Sequence, residues 1–255
     1  MDKKYKQTEE AINVEGKTLY RIEALKDFAN IKKGDKGGFI EKESNLSQNG
    51  DCWVYDNAKV YDDAIVLNDA SICDNAEVCG EAMVCNSAKV CTNAIVNDIA
   101  VVYGNAEVND YAMVYGNAKV FGNAVVCGDA EVFDSAAIYD NAIIYGYAEV
   151  GSNARIYGNA FVYDNAEVCG NAKVHDDARV YGNAVVFDNA EVYGNAQVYN
   201  KAEVCDNAEI YGNAEIYGNA RVYCNTVVCD NAEVCGYSKL FGNAVIRDNT
   251  KVCED

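Results

Sequence analysis

Every sixth residue from Val54 to Val252 is Val, Ile or Leu, at all 34 positions and with no insertion or deletion between them. Four residues after each, from Ala58 to Thr250, lie 33 positions, of which 30 are Ala and the others are Thr226, Ser238 and Thr250. A period this strict points to a repeat architecture, in which each unit buries its apolar side only by stacking on the next. Six is a poor helical period, because the aliphatic column would wander around the helix surface. It suits a short strand followed by a tight corner, with the β-branched residue inward at mid-strand and the Ala inward near the corner.

The rest of the unit fits that geometry. Gly or Asp followed by Asn fills the corner, where positive φ costs little for Gly and is tolerated by Asp and Asn. Asn occupies 21 of the 34 second corner positions, so coil upon coil these amides can form hydrogen-bonded ladders. The chain contains no proline. That follows if every strand must donate its N–H groups to a neighbouring coil.

The unit, an aliphatic residue followed four later by a small one, resembles the hexapeptide-repeat left-handed parallel β-helix. The resemblance covers residues 54–255 and implies a single-stranded, triangular solenoid of about 11 coils of 18 residues, roughly 50–55 Å long. Its left hand is implied by the resemblance alone, since general crossover rules favour a right-handed path.

Residues 1–53 differ in kind and read as an N-terminal β cap on the repeat domain 54–255. They hold ten basic and ten acidic residues, so the net charge of −19 belongs to the repeat, with 11 basic and 30 acidic. Lys17–Leu25 reads as a strand and Lys33–Gly38 as a turn before Phe39-Ile40. A cap protects the exposed edge of the first coil. The stretches Leu19–Phe28, Gly37–Glu41, Asn45–Ser47 and Cys52-Trp53-Val54 resemble a family of bacterial and prophage β-solenoid proteins often labelled as acyltransferases. That resemblance implies a bacterial or phage origin. At the other end the inward column turns polar at Thr226, Ser238 and Thr250, leaving the last coil either charge-protected by Glu254 and Asp255 or available for homodimer contact.

Charge and hydropathy exclude several classes. A net charge of −19 argues against direct binding of nucleic acid, which requires basic groups to displace counterions. No apolar run approaches the length of a membrane span, and the first sixteen residues lack the apolar core of a secretion signal, so a cytoplasmic location is expected.

The residue after each inward aliphatic points outward, and that column holds 14 Tyr, 4 Phe and 10 of the 12 Cys. Sorted by 18, one face stacks Tyr103, Phe121, Tyr139, Tyr157, His175, Tyr193 and Tyr211, with Lys119, Arg155 and Lys173 beside it. A second stacks Tyr145, Tyr163, Tyr181, Tyr199 and Tyr217 beside Val125, Ile143 and Phe161. Flat rings stack well at coil spacing and shield the backbone, yet long aromatic stripes also mark contact surfaces. The second face is the better candidate for a protein partner or a second copy. The third face is acidic, with Glu131, Glu149, Glu167 and Glu203 outward and Asp134, Asp188 and Asp206 at its corner. Such a face keeps a protein soluble, or presents a basic target with a mimic of DNA, whose phosphates would number roughly 30 over the same length.

Cys73, Cys79, Cys85 and Cys91 lie on successive faces and cannot converge on one metal ion. Only Cys73 with Cys91, and Cys235 with Cys253, stack one coil apart. Without a secretion signal, reduced thiols are expected there, and no metal or cofactor is implied. The hexapeptide resemblance brings an alternative, an acyltransferase that uses acyl-CoA and a histidine base at a subunit boundary. The single histidine, His175, followed by Asp176 and Asp177, would be that base, although it sits in the regular aromatic column with no looped-out segment around it. The expected function is therefore a non-catalytic, rigid binding surface for a protein.

Overall fold

The computed structural model describes residues 3–255. They form two compact units, Met1–Asn123 and Ala124–Asp255. Each contains a parallel β-solenoid whose two- to four-residue strands fall into three sheets, and the first also carries three longer strands at its N-terminal end.

In the first unit, β1 (Tyr5–Val14) pairs antiparallel with β2 (Lys17–Ala24), and β2 pairs antiparallel with β3 (Lys36–Ile40). The other edge of β3 pairs in parallel with Lys59–Val60, so β3 converts an antiparallel layer into the first rung of the solenoid. Leu46 bridges to Val66, and Trp53–Val54 pairs with Ser71–Ile72. Residues 36–53 therefore already follow the coil path within the segment read as a cap. Trp53 is buried between Tyr5 and Phe28, with ring centroids 6.2 and 5.4 Å away. Lys4 is buried beside them, its ammonium donating to the carbonyls of Gly50 and Cys52 at 3.1 and 2.9 Å.

The turn read at Lys33–Gly38 is shorter than expected. It closes at Lys32–Asp35, and Gly37-Gly38 lie inside β3. A Cβ on Gly37 would come within 2.5 Å of the Val54 carbonyl oxygen, so the pair serves close backbone packing rather than a turn.

In the second unit one sheet carries Glu131, Glu149, Glu167, Val185, Glu203, Arg221 and Lys239 outward. The next carries Val125, Ile143, Phe161, Arg179, Gln197 and Glu215, and the third Ala137, Arg155, Lys173, Glu191 and Glu209. Equivalent residues pair 18 apart and in register, for example Arg155 with Lys173 and Ile156 with Val174. The amides of Arg155 and Tyr157 donate to the carbonyls of Ala172 and Val174 at 3.0 and 3.1 Å. Between the sheets the Val, Ile and Ala columns are wholly buried from Ala124 to Val222. The same columns loosen in the last coil, where Val245 on its outward side is 57% exposed.

The corners hold the positive φ that the Gly/Asp-Asn pairs imply, for example 54° at Asp134 and 71° at Gly158. Amide ladders form at two of the three corners of the second unit, as in Asn171→Asn189→Asn207 and Asn195→Asn213→Asn231 at 3.0–3.2 Å. Corner aspartates add a rung of their own: Asp134, Asp164, Asp176 and Asp206 each accept an N–H from the residue 18 further on. The third corner, with Tyr147, Asn165, Asn183, Lys201, Asn219 and Tyr237, forms no side-chain amide rung among the described residues.

The cysteine expectation needs correction. Cys73–Cys91 and Cys235–Cys253 are disulfide-bonded, each with a Cα–Cα distance of 4.6 Å. In-register stacking places equivalent residues one coil apart, inside the span that a disulfide bridges. No helix of the described residues is long and apolar enough to cross a membrane.

Two outcomes follow from this packing. Ile144→Ala removes a wholly buried side chain from a column with no slack, and is expected to cost about 2–5 kcal/mol in urea unfolding followed by circular dichroism. Alkylation under denaturing conditions, read by mass, should modify the 8 unpaired cysteines without reductant and all 12 after reduction.

Candidate functional site

The second aromatic face assembles as the sequence implies. Tyr145, Tyr163, Tyr181, Tyr199 and Tyr217 stack nearly coplanar, with successive centroids 4.8, 4.8, 4.9 and 5.1 Å apart. The spacing is that of the coils, so the backbone sets the stack and each ring is held between its neighbours. Each ring lies half-buried beside the outward residues of its own sheet.

The face divides into two halves. Toward higher residue numbers the hydroxyls are tied down, with Tyr181 donating to Gln197 at 3.2 Å, and Tyr199 and Tyr217 donating to Glu215 and Glu233 at 2.9 Å. Toward lower numbers the residues 16 further on are Phe161 for Tyr145 and Arg179 for Tyr163, neither of which is an acceptor. Val125, Ile143 and Phe161 run outward there, with the Arg179 guanidinium 5.8 Å from the Phe161 ring centroid. That half is an apolar strip edged by two phenols with no partner among the described residues. Burial and the neighbouring phenols push Tyr163 up to about 12, and burial likewise raises Tyr145 and Tyr181.

His175 sits in the first aromatic column, 4.6 Å from the Tyr157 ring and 5.1 Å from the Tyr193 ring. Its Nε2 lies 2.9 Å from Glu191 Oε1 and its Nδ1 3.3 Å from Asp176 Oδ1. Both nitrogens are therefore occupied by carboxylates, and the ring faces are covered. A general base needs one nitrogen within reach of a substrate proton. Although burial pushes Glu191 up, His175 and Lys173 outweigh it and hold that carboxyl below its ordinary range. The acidic partner Glu191 was not singled out in sequence, because it lies 16 residues away on the next coil.

The acidic face begins as expected with Glu131, Glu149 and Glu167, then meets Val185. Glu203 is held at 2.9 Å by Arg221, and the column ends in Lys239. The change of sign was readable in the sequence but hidden by selecting only the acidic members.

Among cysteine clusters, Asp188, Cys205 and Asp206 bring three ligand-type atoms within 4.8 Å. Burial and these same carboxylates push the Cys205 thiol to about 11, so it stays protonated near neutrality and is a weak ligand there.

With the coil, corner and aromatic columns in place, the repeat can be compared with known ones. Residues 154–170, 172–194 and 214–230 match the family model described as the YdcK β-solenoid repeat. These three segments are similar to that repeat. A 48-residue stretch is also 42% identical to the protein named "Uncharacterized acetyltransferase YdcK" of Escherichia coli (strain K12). That match spans 18% of this chain and 15% of the relative. The YdcK-like segments include Tyr157, His175 and Tyr193 of one aromatic column and Tyr163, Tyr181 and Tyr217 of the other.

A phenol whose folded pKa is raised favours the neutral form in the fold. Its contribution to stability is full below the unfolded value near 10 and is lost as pH rises through the folded value. Phenolate absorbance should therefore show Tyr163 ionising late, with stability falling between about pH 10 and 12. Tyr163→Phe should flatten that fall.

Proposed function

We propose that this YdcK-like solenoid is a rigid, non-catalytic platform that binds a protein through the strip of Val125, Ile143, Phe161, Tyr145 and Tyr163. The observation that carries the reading is the pair of stacked phenols without hydrogen-bond partners beside three outward apolar residues. Rings locked by stacking lose little freedom when covered, and phenols at the edge of an apolar patch serve both dispersion contacts and hydrogen bonds. The partner offers an apolar surface with polar groups placed to meet the two hydroxyls, whether it is another protein or a second copy of this chain.

Acyl transfer through His175 is the alternative, and the name of the E. coli relative favours it. The carboxylates on both ring nitrogens speak against it. Nucleic-acid mimicry by the acidic face draws less support, because Val185 interrupts the run and Arg221 and Lys239 reverse its sign.

A photo-crosslinking residue at position 161 in the producing cell is expected to capture one defined protein or a second copy. Tyr163→Ala should lower that capture at least about tenfold, and a crosslinker at position 167 on the acidic sheet should capture little. Equal capture from both faces would overturn the platform. Acetyl-CoA turnover abolished by His175→Ala would establish the enzyme instead.

A further inference from the structure

The strict repeat makes its departures easy to locate, and several of them meet in one groove of the second unit. The third corner carries Lys201 and Tyr237 where most corners carry Asn, with Asn219 on the coil between them. Beside this column, the outward residues of the same three coils are Glu203, Arg221 and Lys239. The two columns enclose a groove of about 380 Å³ lined by these six side chains.

Its chemistry differs from that of its surroundings. On a chain of net charge −19, three cations face one concavity against a single carboxylate. Glu203 is engaged by Arg221 at 2.9 Å, which fixes the guanidinium and leaves its other N–H groups for a ligand. Lys201 and Lys239 are exposed and have no acidic partner among the described residues. Tyr237 is 61% exposed, unlike the half-buried rings of the two ladders, so a face of its ring is open.

The support beneath Tyr237 is firm. Its amide donates to the Glu254 carbonyl at 2.8 Å. The buried Ser238 hydroxyl, standing where the repeat has Ala, donates to the Val252 carbonyl at 3.2 Å and accepts from the Glu254 amide at 3.0 Å. The Cys235–Cys253 disulfide joins the same two strands. Since the third corner lacks amide rungs, these bonds, rather than an Asn ladder, hold the position of the ring.

We infer that this groove binds a nucleoside diphosphate, with the phosphates between Lys201, Arg221 and Lys239 and the base on the Tyr237 ring. Phosphate suits the cations because its charge-assisted hydrogen bonds can be shared among a guanidinium and two ammonium groups. Three coils span roughly 10 Å, enough to place a diphosphate and a stacked base in one groove. The proposal uses a different sheet from the partner-binding strip and is independent of it.

Calorimetric titration of the full chain with ADP, pyrophosphate and adenosine at about 150 mM salt tests the assignment. ADP should bind at least about tenfold more tightly than either fragment. Lys201→Ala and Lys239→Ala should each weaken ADP binding by about five- to tenfold. Tyr237→Leu should weaken ADP while sparing pyrophosphate, and Lys119→Ala, an exposed cation outside the groove, should change neither. No heat of ADP binding up to millimolar concentration would overturn the site. So would equal losses in Lys119→Ala and Lys239→Ala, or a Tyr237→Leu loss as large for pyrophosphate as for ADP.

Discussion

Everything in each unit depends on backbone amides donating to the coil 18 residues away. That ladder fixes the rise per coil and sets the side chain at each position beside its own equivalents one coil away. It is stable because the inner columns of Val, Ile and Ala leave no space: their exposure is essentially nil through the body of each unit. A two-residue strand by itself buries far too little to persist. Its order comes from two neighbouring coils, the usual situation in quasi-one-dimensional proteins.

The same constraint explains why the aromatic columns are regular and what they can do. Rings spaced by coils stack whether or not a partner exists, so stacking alone says nothing of function. The columns differ only where the neighbours change. Glu215 and Glu233 accept from the hydroxyls of Tyr199 and Tyr217, whereas Phe161 and Arg179, at the equivalent positions, offer Tyr145 and Tyr163 no acceptor. His175 is engaged in the same manner by Glu191 and Asp176.

Much of this was legible in the sequence because the period is unbroken. The inward Val and Ala columns, the positive-φ corners, the Asn ladders and both ring stacks follow from counting by six and by 18. The fold of residues 36–53 was less legible, because Ile40 and Leu46 stand outside the six-residue count that begins at Val54 and pair with Val60 and Val66, 20 residues on rather than 18. Gly37-Gly38 looked like a turn because the carbonyls of Val54 and Ala58, which exclude a side chain there, are distant in sequence. The two cysteine pairs were located correctly, but compartment-based reasoning left them reduced. The Lys201–Lys239 groove escaped notice because its members belong to two columns that the repeat treats separately.

The third corner has one more consequence. Two corners of the second unit are tied by amide rungs, so replacing an Asn within a ladder breaks a bond to its neighbours. The third is free of that obligation, and the chain has placed Tyr, Lys and Asn there within a few coils. It behaves as a writable margin beside a fixed text: side chains can be exchanged at that column without altering the ladder. New recognition chemistry in this molecule has the least resistance along that edge.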